Sequence, residues 1–119
     1  MKKKVDLYGL PHCTTCQKAV AFLEEAGVEI GLFHDLKADM LSRKDVEGLV
    51  EMVGGAESLF SKRAMKYRSM KLNERTLTEK EMTDLMVDEY TFIKRPVITD
   101  GKMAIAGFAK KRVEEFLNG

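Results

Sequence analysis

Residues 5–36 change their hydrophobic period twice, and this change limits the possible folds more than any other feature of the chain. Residues 5–9, VDLYG, favour a short strand, and Gly9-Leu10-Pro11 ends it as a turn signal. Apolar residues then recur at helical spacing, namely Cys16, Ala19, Val20 and Leu23. Gly27 is typical of a helix end, and residues 29–36, EIGLFHDL, predict a second strand. The pattern predicts a βαβ unit with parallel strands.

The middle of the chain, about residues 38–90, predicts helices without further strands. Ser42 and Asp45 resemble a capping box before a helical stripe that ends at Gly54-Gly55. Thr78 and Glu81 form a second capping box before another apolar stripe, which consists of Met82, Leu85 and Met86. We interpret this part as a helical insert.

The C-terminal part returns to strands. Asp100-Gly101 separates two β-like runs at residues 97–99 and 103–106, which is a strong hairpin signal. A closing helix is predicted from three apolar residues at helical spacing, namely Val113, Phe116 and Leu117. A length of 119 residues fits a single domain. We therefore expect one α/β domain over residues 1–119, with the insert at about 38–90.

Charge and hydropathy exclude several classes of partner. Twenty basic and 19 acidic residues leave a formal charge of +1, so general attraction to nucleic acid or to acidic membranes is not expected. No stretch approaches the roughly 18 apolar residues that span a bilayer. MKKK is followed by polar residues and proline instead of the apolar run of a signal peptide. We expect a cytoplasmic protein without a membrane or direct nucleic-acid partner.

Cys13 and Cys16 are the only cysteines, and they are three positions apart at the predicted start of the first helix. Unpaired N–H groups and the helix dipole favour a thiolate at Cys13. Cys16, one turn later, could attack a sulfur bonded to Cys13 and resolve a mixed disulfide. A zinc site that also used His12 and His34, or a pair of inert core thiols, are the alternatives. We favour a redox pair without metal or cofactor.

A second candidate group is Lys94-Arg95-Pro96, at the start of a late strand. Proline at this place is often a cis residue that faces the dithiol. Arg95 could hold an oxyanion with two hydrogen bonds or stabilise the thiolate. The alternative is an edge proline beside a solvated arginine.

Several motifs together resemble the arsenate reductase (ArsC) family, in its Spx-like and YffB-like branch. They are CTTCQKA at the first helix, SKRAMKYR in the insert, and IKRPVITDGK followed by GF near the end. The resemblance covers nearly the whole chain in order. It implies a thioredoxin-like (glutaredoxin-like) fold, in which a four-stranded mixed sheet is flanked by helices and carries a helical insert.

The resemblance also implies roles for individual residues. Cys13 matches the nucleophilic cysteine, and Arg95 matches the oxyanion-binding arginine before the cis-proline, here Pro96. Arg63 matches an arginine of Spx-type and YffB-type proteins, and a third arginine of the reductases falls near Gly107, where this chain has none. Pro11 and Pro96 are expected to shape the site.

Two functions follow from the resemblance. The first is a thiol-dependent reductase that acts on a small oxyanion or a low-molecular-weight disulfide, with glutathione, glutaredoxin or thioredoxin as reductant. The second is an Spx-like redox regulator that binds the C-terminal domain of the RNA polymerase α subunit. Gly54-Gly55 lies near the glycine of that contact, whereas Glu51 reverses the charge of a nearby arginine in Spx.

Overall fold

The fold was determined as a computed structural model that describes residues 2–119. Its strands are β1 (Lys4–Gly9), β2 (Glu29–Asp35), β3 (Val97–Thr99) and β4 (Ala104–Ala106). Its α-helices are α1 (Thr14–Glu25), α2 (Arg43–Val53), α3 (Ala56–Leu59), α4 (Met65–Ser69), α5 (Glu79–Asp88) and α6 (Lys110–Asn118). Single 3₁₀ turns lie at Leu72–Glu74 and Tyr90–Phe92.

The four strands form one mixed sheet in the order β2-β1-β3-β4. β1 pairs in parallel with β2, which confirms the βαβ prediction. β1 pairs antiparallel with β3, and β3 pairs antiparallel with β4. The predicted α/β class with a four-stranded mixed sheet is therefore confirmed.

The first helix has the ends that its sequence predicts. Cys13 is its N-cap residue, with φ −81° and ψ 120°, so the cysteine lies where the extended chain becomes helical. Gly27 follows the helix with φ +77°, a conformation that glycine adopts without the steric cost of a side chain. The strand-to-helix turn thus fixes where the first thiol is located.

The chain divides into two compact units, and the sheet belongs to the first, which runs to Met40 and resumes at Arg95. Its core contains residues of β1, α1, β3 and α6 together with Val28, which precedes β2: Val5, Leu7, Ala19, Leu23, Val28, Ile98, Val113, Phe116 and Leu117. Leu7 and Ile98 are directly paired between β1 and β3. Residues from both ends of the sequence therefore form one core.

The second unit, Leu41–Lys94, is built from α2 to α5. The side chain of Thr78 accepts a hydrogen bond from the Glu81 N–H at 3.1 Å, and Glu81 accepts one from the Thr78 N–H at 3.1 Å, which confirms that capping box. At Ser42 the hydroxyl accepts from the Asp45 N–H at 3.1 Å, so the cap forms through one hydrogen bond. An ion pair between Arg43 and Asp84 at 2.7 Å joins α2 to α5.

The β3–β4 turn is longer than the two residues of the Asp100-Gly101 signal. The Asp100 carboxylate accepts the N–H groups of Lys102 and Met103, each at 2.9 Å. Met103 is held in this turn, and β4 begins at Ala104.

Among the described residues, no helix has both the length and the apolar character that crossing a membrane requires.

Candidate functional site

Cys13 lies at the junction of the β1–α1 loop and the first helical turn. Its N–H donates to the Leu10 carbonyl at 3.2 Å, and its carbonyl accepts from the Gln17 N–H at 2.9 Å. The residue is half-buried and its thiol is free. The backbone thus holds the residue in place, while the sulfur keeps partial access to solvent.

The pKa of Cys13 is lowered by its surroundings. Burial by itself acts to raise this pKa. The N–H and the thiol of Cys16, the N–H of Thr15 and the charge of Arg95 all favour the thiolate. Together they outweigh burial, and the pKa falls below its ordinary value. Cys13 therefore has the properties of a nucleophilic thiol.

Cys16 has the opposite environment. It is only 1 % exposed and belongs to the same buried stripe of α1 as Ala19 and Leu23. Burial is the main reason that its pKa rises to about 11, and the neighbouring Cys13 raises it further. At neutral pH the pair consists of one thiol that ionises readily and one that stays protonated.

Arg95 reaches Cys13 because of the pairing between β1 and β3. Val97 is the partner of Tyr8, so the residues before β3 lie beside the end of β1 where the cysteine loop starts. The positive charge of Arg95 contributes to the lowered pKa of Cys13, and at Cys16 it opposes the larger effect of burial. Its Nη1 is buried and has no hydrogen-bond partner among the residues of the structure described here. The Arg95-Pro96 bond is cis, an isomer that the sequence alone left open.

Gly9, the last residue of β1, leaves room for Cys16. A Cβ atom built at Gly9 would lie 2.7 Å from the Cys16 Sγ and 3.5 Å from its Cβ. The first distance is shorter than any real contact between such atoms. The sequence places Gly9 at the end of a strand and in a turn signal, but it does not predict this close approach, because the residue that Gly9 faces comes from the next element.

An apolar pocket of about 290 Å³ lies beside the cysteine loop. The described residues that line it carry no charge and are Leu10, Pro11, Gln17, Val20 and Phe33. Gln17 Nε2 donates to the Pro11 carbonyl at 3.0 Å, so this polar side chain already has a partner within the wall. Pro11 is one of the residues that line this pocket, and its role in shaping the site stays a prediction.

The other positions named from the sequence are described here by their own surroundings. Arg63 belongs to the unit Leu41–Lys94, where it is exposed and its N–H donates to Ser61 Oγ at 3.3 Å. Gly107, at the place of the third arginine, has φ +84° and its N–H donates to the Pro96 carbonyl at 2.9 Å. Glu51 is exposed on α2, and Gly54-Gly55 follows that helix.

The histidines have separate surroundings. His12 is exposed, whereas His34 lies against Tyr8 with ring centroids 5.1 Å apart. His34 Nε2 also lies 2.7 Å from the Asp39 carbonyl oxygen. Within residues 2–119, no group of three or more His, Cys, Asp and Glu side chains has an arrangement that could hold a metal ion.

The sequence profile of the ArsC family matches residues 8–116, a range that includes both cysteines and Arg95. The chain belongs to the ArsC family. Among the relatives of this ArsC protein is the uncharacterized protein YusI of Bacillus subtilis (strain 168), which is 35 % identical over 91 % of this chain and 93 % of YusI. Global transcriptional regulator Spx 1 of Lactococcus lactis subsp. lactis (strain IL1403) is 30 % identical over 95 % of this chain and 88 % of the Spx 1 chain.

Solved structures agree with the family assignment. A YffB protein superposes with a TM-score of 0.82 at 27 % identity, covering 95 % of this ArsC chain and 98 % of the YffB chain. The predicted ArsC membership and fold are thereby confirmed, and the close Cys13–Cys16 pair fits the redox centre of a CxxC protein.

Proposed function

We propose that this ArsC-family protein is a thiol-dependent reductase in which Cys13 attacks the substrate and Cys16 resolves the product. The opposite shifts of the two pKa values carry this proposal. A lowered pKa favours the thiolate of Cys13, and a pKa of about 11 keeps Cys16 protonated until it is needed. Two inert thiols in equivalent surroundings would not have pKa values shifted in opposite directions.

The reaction with a disulfide has two steps. The Cys13 thiolate attacks one substrate sulfur, a new S–S bond forms, and the other substrate sulfur leaves as a thiolate. Cys16 then loses its proton and attacks the Cys13 sulfur, which releases the second substrate thiolate. The dithiol is oxidised by two electrons, and the substrate disulfide is reduced by two. Glutathione, glutaredoxin or thioredoxin would restore the dithiol, which places the protein in the reducing cytoplasm.

Arg95 would stabilise negative charge in this reaction. Its unpartnered Nη1 can donate to an anionic substrate group or to a developing thiolate. Oxyanion reduction by related reductases uses further arginines, but Gly107 supplies no side chain at one of those positions. Disulfide reduction is therefore the activity that this site supports best, with a small oxyanion as the second substrate class.

Thiol alkylation against pH tests the division of roles. In Cys16→Ser, we expect Cys13 to react with iodoacetamide at neutral pH, with a rate that levels off at a pH below the ordinary cysteine value. In Cys13→Ser, Cys16 should react slowly and mainly at high pH, because it stays buried. Equal, slow and high-pH reactivity of both thiols would contradict the proposal.

Arg95→Ala and Arg95→Lys extend this test to the guanidinium. Removing the charge should raise the pKa of Cys13 and slow its alkylation near neutral pH several-fold. Lysine keeps the charge but loses the planar fork of donors, so its effect should be intermediate. Exposed Arg68→Ala is the control. If Cys13 titrates unchanged in Arg95→Ala, Arg95 has no role at the thiolate.

A redox regulator is the second candidate, because the relation to Spx 1 extends over 95 % of this chain at 30 % identity. In this function the disulfide would be a sensor, and the partner would be the C-terminal domain of the RNA polymerase α subunit. A pull-down with that domain should compare reduced protein, oxidised protein and a Gly54→Arg variant. Redox-dependent retention that Gly54→Arg abolishes would favour the regulator; no retention in either redox state would exclude it.

A further inference from the structure

We infer that the apolar pocket beside Cys13 selects the substrate, and that it takes an apolar side chain next to the reacting cysteine of a polypeptide disulfide. This inference rests on the proposed reductase function and names its substrate class. The pocket is lined by Leu10, Pro11, Gln17, Val20 and Phe33, and no charged side chain is among these described residues.

The first step is the position of the pocket relative to the reactive sulfur. Gln17 and Val20 follow Cys13 at i+4 and i+7, which places all three on one face of α1. Leu10 is linked to Cys13 by the hydrogen bond between its carbonyl and the Cys13 N–H at 3.2 Å. A substrate bonded to the Cys13 sulfur therefore has its neighbouring groups beside this pocket.

The second step is the chemistry of the pocket wall. One N–H of the Gln17 amide donates to the Pro11 carbonyl, and Gln17 is the one polar side chain among the described residues of the wall. Val20 and Phe33 are only partly buried and pack against the core with part of their surfaces. The pocket therefore offers apolar surface without an additional charge, and the anion-binding group of the site is Arg95.

The third step excludes other substrates from the pocket. An inorganic oxyanion is held best by charged donors, and no charged side chain is among the described residues of the pocket wall. The groups next to the cysteine of glutathione are charged or polar, so they would not gain from an apolar pocket. A polypeptide cysteine can be flanked by leucine or a similar residue, and a volume of about 290 Å³ accommodates such a side chain.

The complete reaction is balanced without a further reactant. Cys13 and Cys16 together give two electrons to the polypeptide disulfide and become a disulfide themselves. The proton of Cys16, and the proton that Cys13 released to solvent when its thiolate formed, neutralise the two thiolates that leave. In the first step, the pocket would hold the side chain beside the sulfur that becomes bonded to Cys13.

Single-turnover kinetics of the reduced protein test the inference with three disulfides. Two are peptide dimers whose cysteine is flanked on both sides by leucine or by serine, and the third is glutathione disulfide. Each second-order rate constant is divided by the rate constant of dithiothreitol with the same disulfide, which corrects for intrinsic reactivity. We expect the leucine peptide to be preferred over the serine peptide by about ten-fold, because an open pocket gains part of the transfer free energy of a buried leucine.

Val20→Thr keeps the shape of the pocket wall but adds a hydroxyl, and it should reduce the preference for the leucine peptide over the serine peptide several-fold. Val87→Thr, on α5, is the matched control and should keep the preference. Gln17→Lys, at an exposed helical position, is a second variant that adds a charge beside the pocket and should also reduce the preference. The preference is a ratio within one preparation, so partial misfolding of a variant does not change it.

The outcomes separate the two proposals. Equal normalised rates for the three disulfides, or an unchanged preference in both Val20→Thr and Gln17→Lys, would overturn the pocket inference and leave the reductase function standing. If the reduced protein reacts with none of the three disulfides, both proposals fail.

Discussion

At position 9 the backbone of β1 passes so close to the Cys16 sulfur that a methyl group has no space. The Cβ of an alanine would lie 2.7 Å from that sulfur, and the backbone of Gly9 needs no left-handed conformation. The sulfur would have to shift, which would disturb its hydrogen bond to Cys13. The Cys16 sulfur can therefore occupy its position only because Gly9 has no side chain.

We predict that Gly9→Ala lowers the free energy of unfolding by about 1–3 kcal/mol, the usual cost of overpacking. It should also raise the pKa of Cys13, because a displaced Cys16 no longer supports the thiolate. Urea unfolding and the pH profile of Cys13 alkylation measure the two effects. In a Cys16→Ala background the stability cost should largely disappear.

Gly48→Ala is the matched control for this substitution. A Cβ at Gly48, in α2, meets no atom within 4 Å. The exchange of glycine for alanine inside a helix should stabilise the protein by about 0.5–1 kcal/mol. If Gly9→Ala costs the same with and without the Cys16 sulfur, the close approach does not determine the effect.

At the scale of elements, the β3–β4 turn depends on the charge of Asp100. Hydrogen bonds from the N–H groups of Met103 and Lys102 lower its pKa to about 2, and the ion pair with Lys2 at 3.3 Å adds to this effect. An aspartate in an unfolded chain has a pKa of about 3.9. Since the folded value is the lower one, Asp100 contributes stability above pH ~4 and loses it as the pH falls toward 2.

We predict that Asp100→Asn keeps the fold, because the amide oxygen can still accept the turn hydrogen bonds. It should lower the free energy of unfolding at pH 7 and weaken the decrease of stability between about pH 4 and pH 2. Urea unfolding at a series of pH values measures this slope. Asp88→Asn, at the exposed end of α5, is the control. If the free energy of unfolding falls equally with pH in the wild type and in Asp100→Asn, Asp100 does not cause the loss of stability at low pH.

At the scale of the whole molecule, the core of the sheet unit depends on both ends of the chain. Leu23 of α1 is fully buried in a cluster that also contains Val113 and Leu117 of α6. We predict that Leu23→Ala lowers the free energy of unfolding by about 2–5 kcal/mol, since it removes buried apolar volume and leaves a cavity. This is a large part of the roughly 5–15 kcal/mol typical of a domain.

Leu32→Ala provides the matched control for this core substitution. Leu32 lies on β2 with 51 % of its surface exposed, so its loss should cost less than about 0.5 kcal/mol. Denaturant unfolding of the three proteins gives the comparison. Similar costs at both positions would mean that the cluster around Leu23 does not carry the stability of this unit.

The sequence alone was sufficient for features that depend on neighbours within a few residues. The change of hydrophobic period between residues 5 and 36 predicted β1, α1 and β2, and the spacing of the cysteines placed Cys13 at the helix start. The Thr78–Glu81 capping box is equally local. Such patterns can be recognised in the sequence because helix and strand periods repeat over short distances.

Only the tertiary structure decided the contacts between separate elements that form the site. The β1–β3 register brings Arg95 to the cysteine loop, and the turn from β1 to α1 sets the gap between Gly9 and Cys16. Phe33 of β2 completes a pocket with residues of α1. These distances follow from strand pairing and from helix packing over many residues. No periodic pattern of the sequence predicts these distances, because they arise only when distant segments bury their apolar surfaces together.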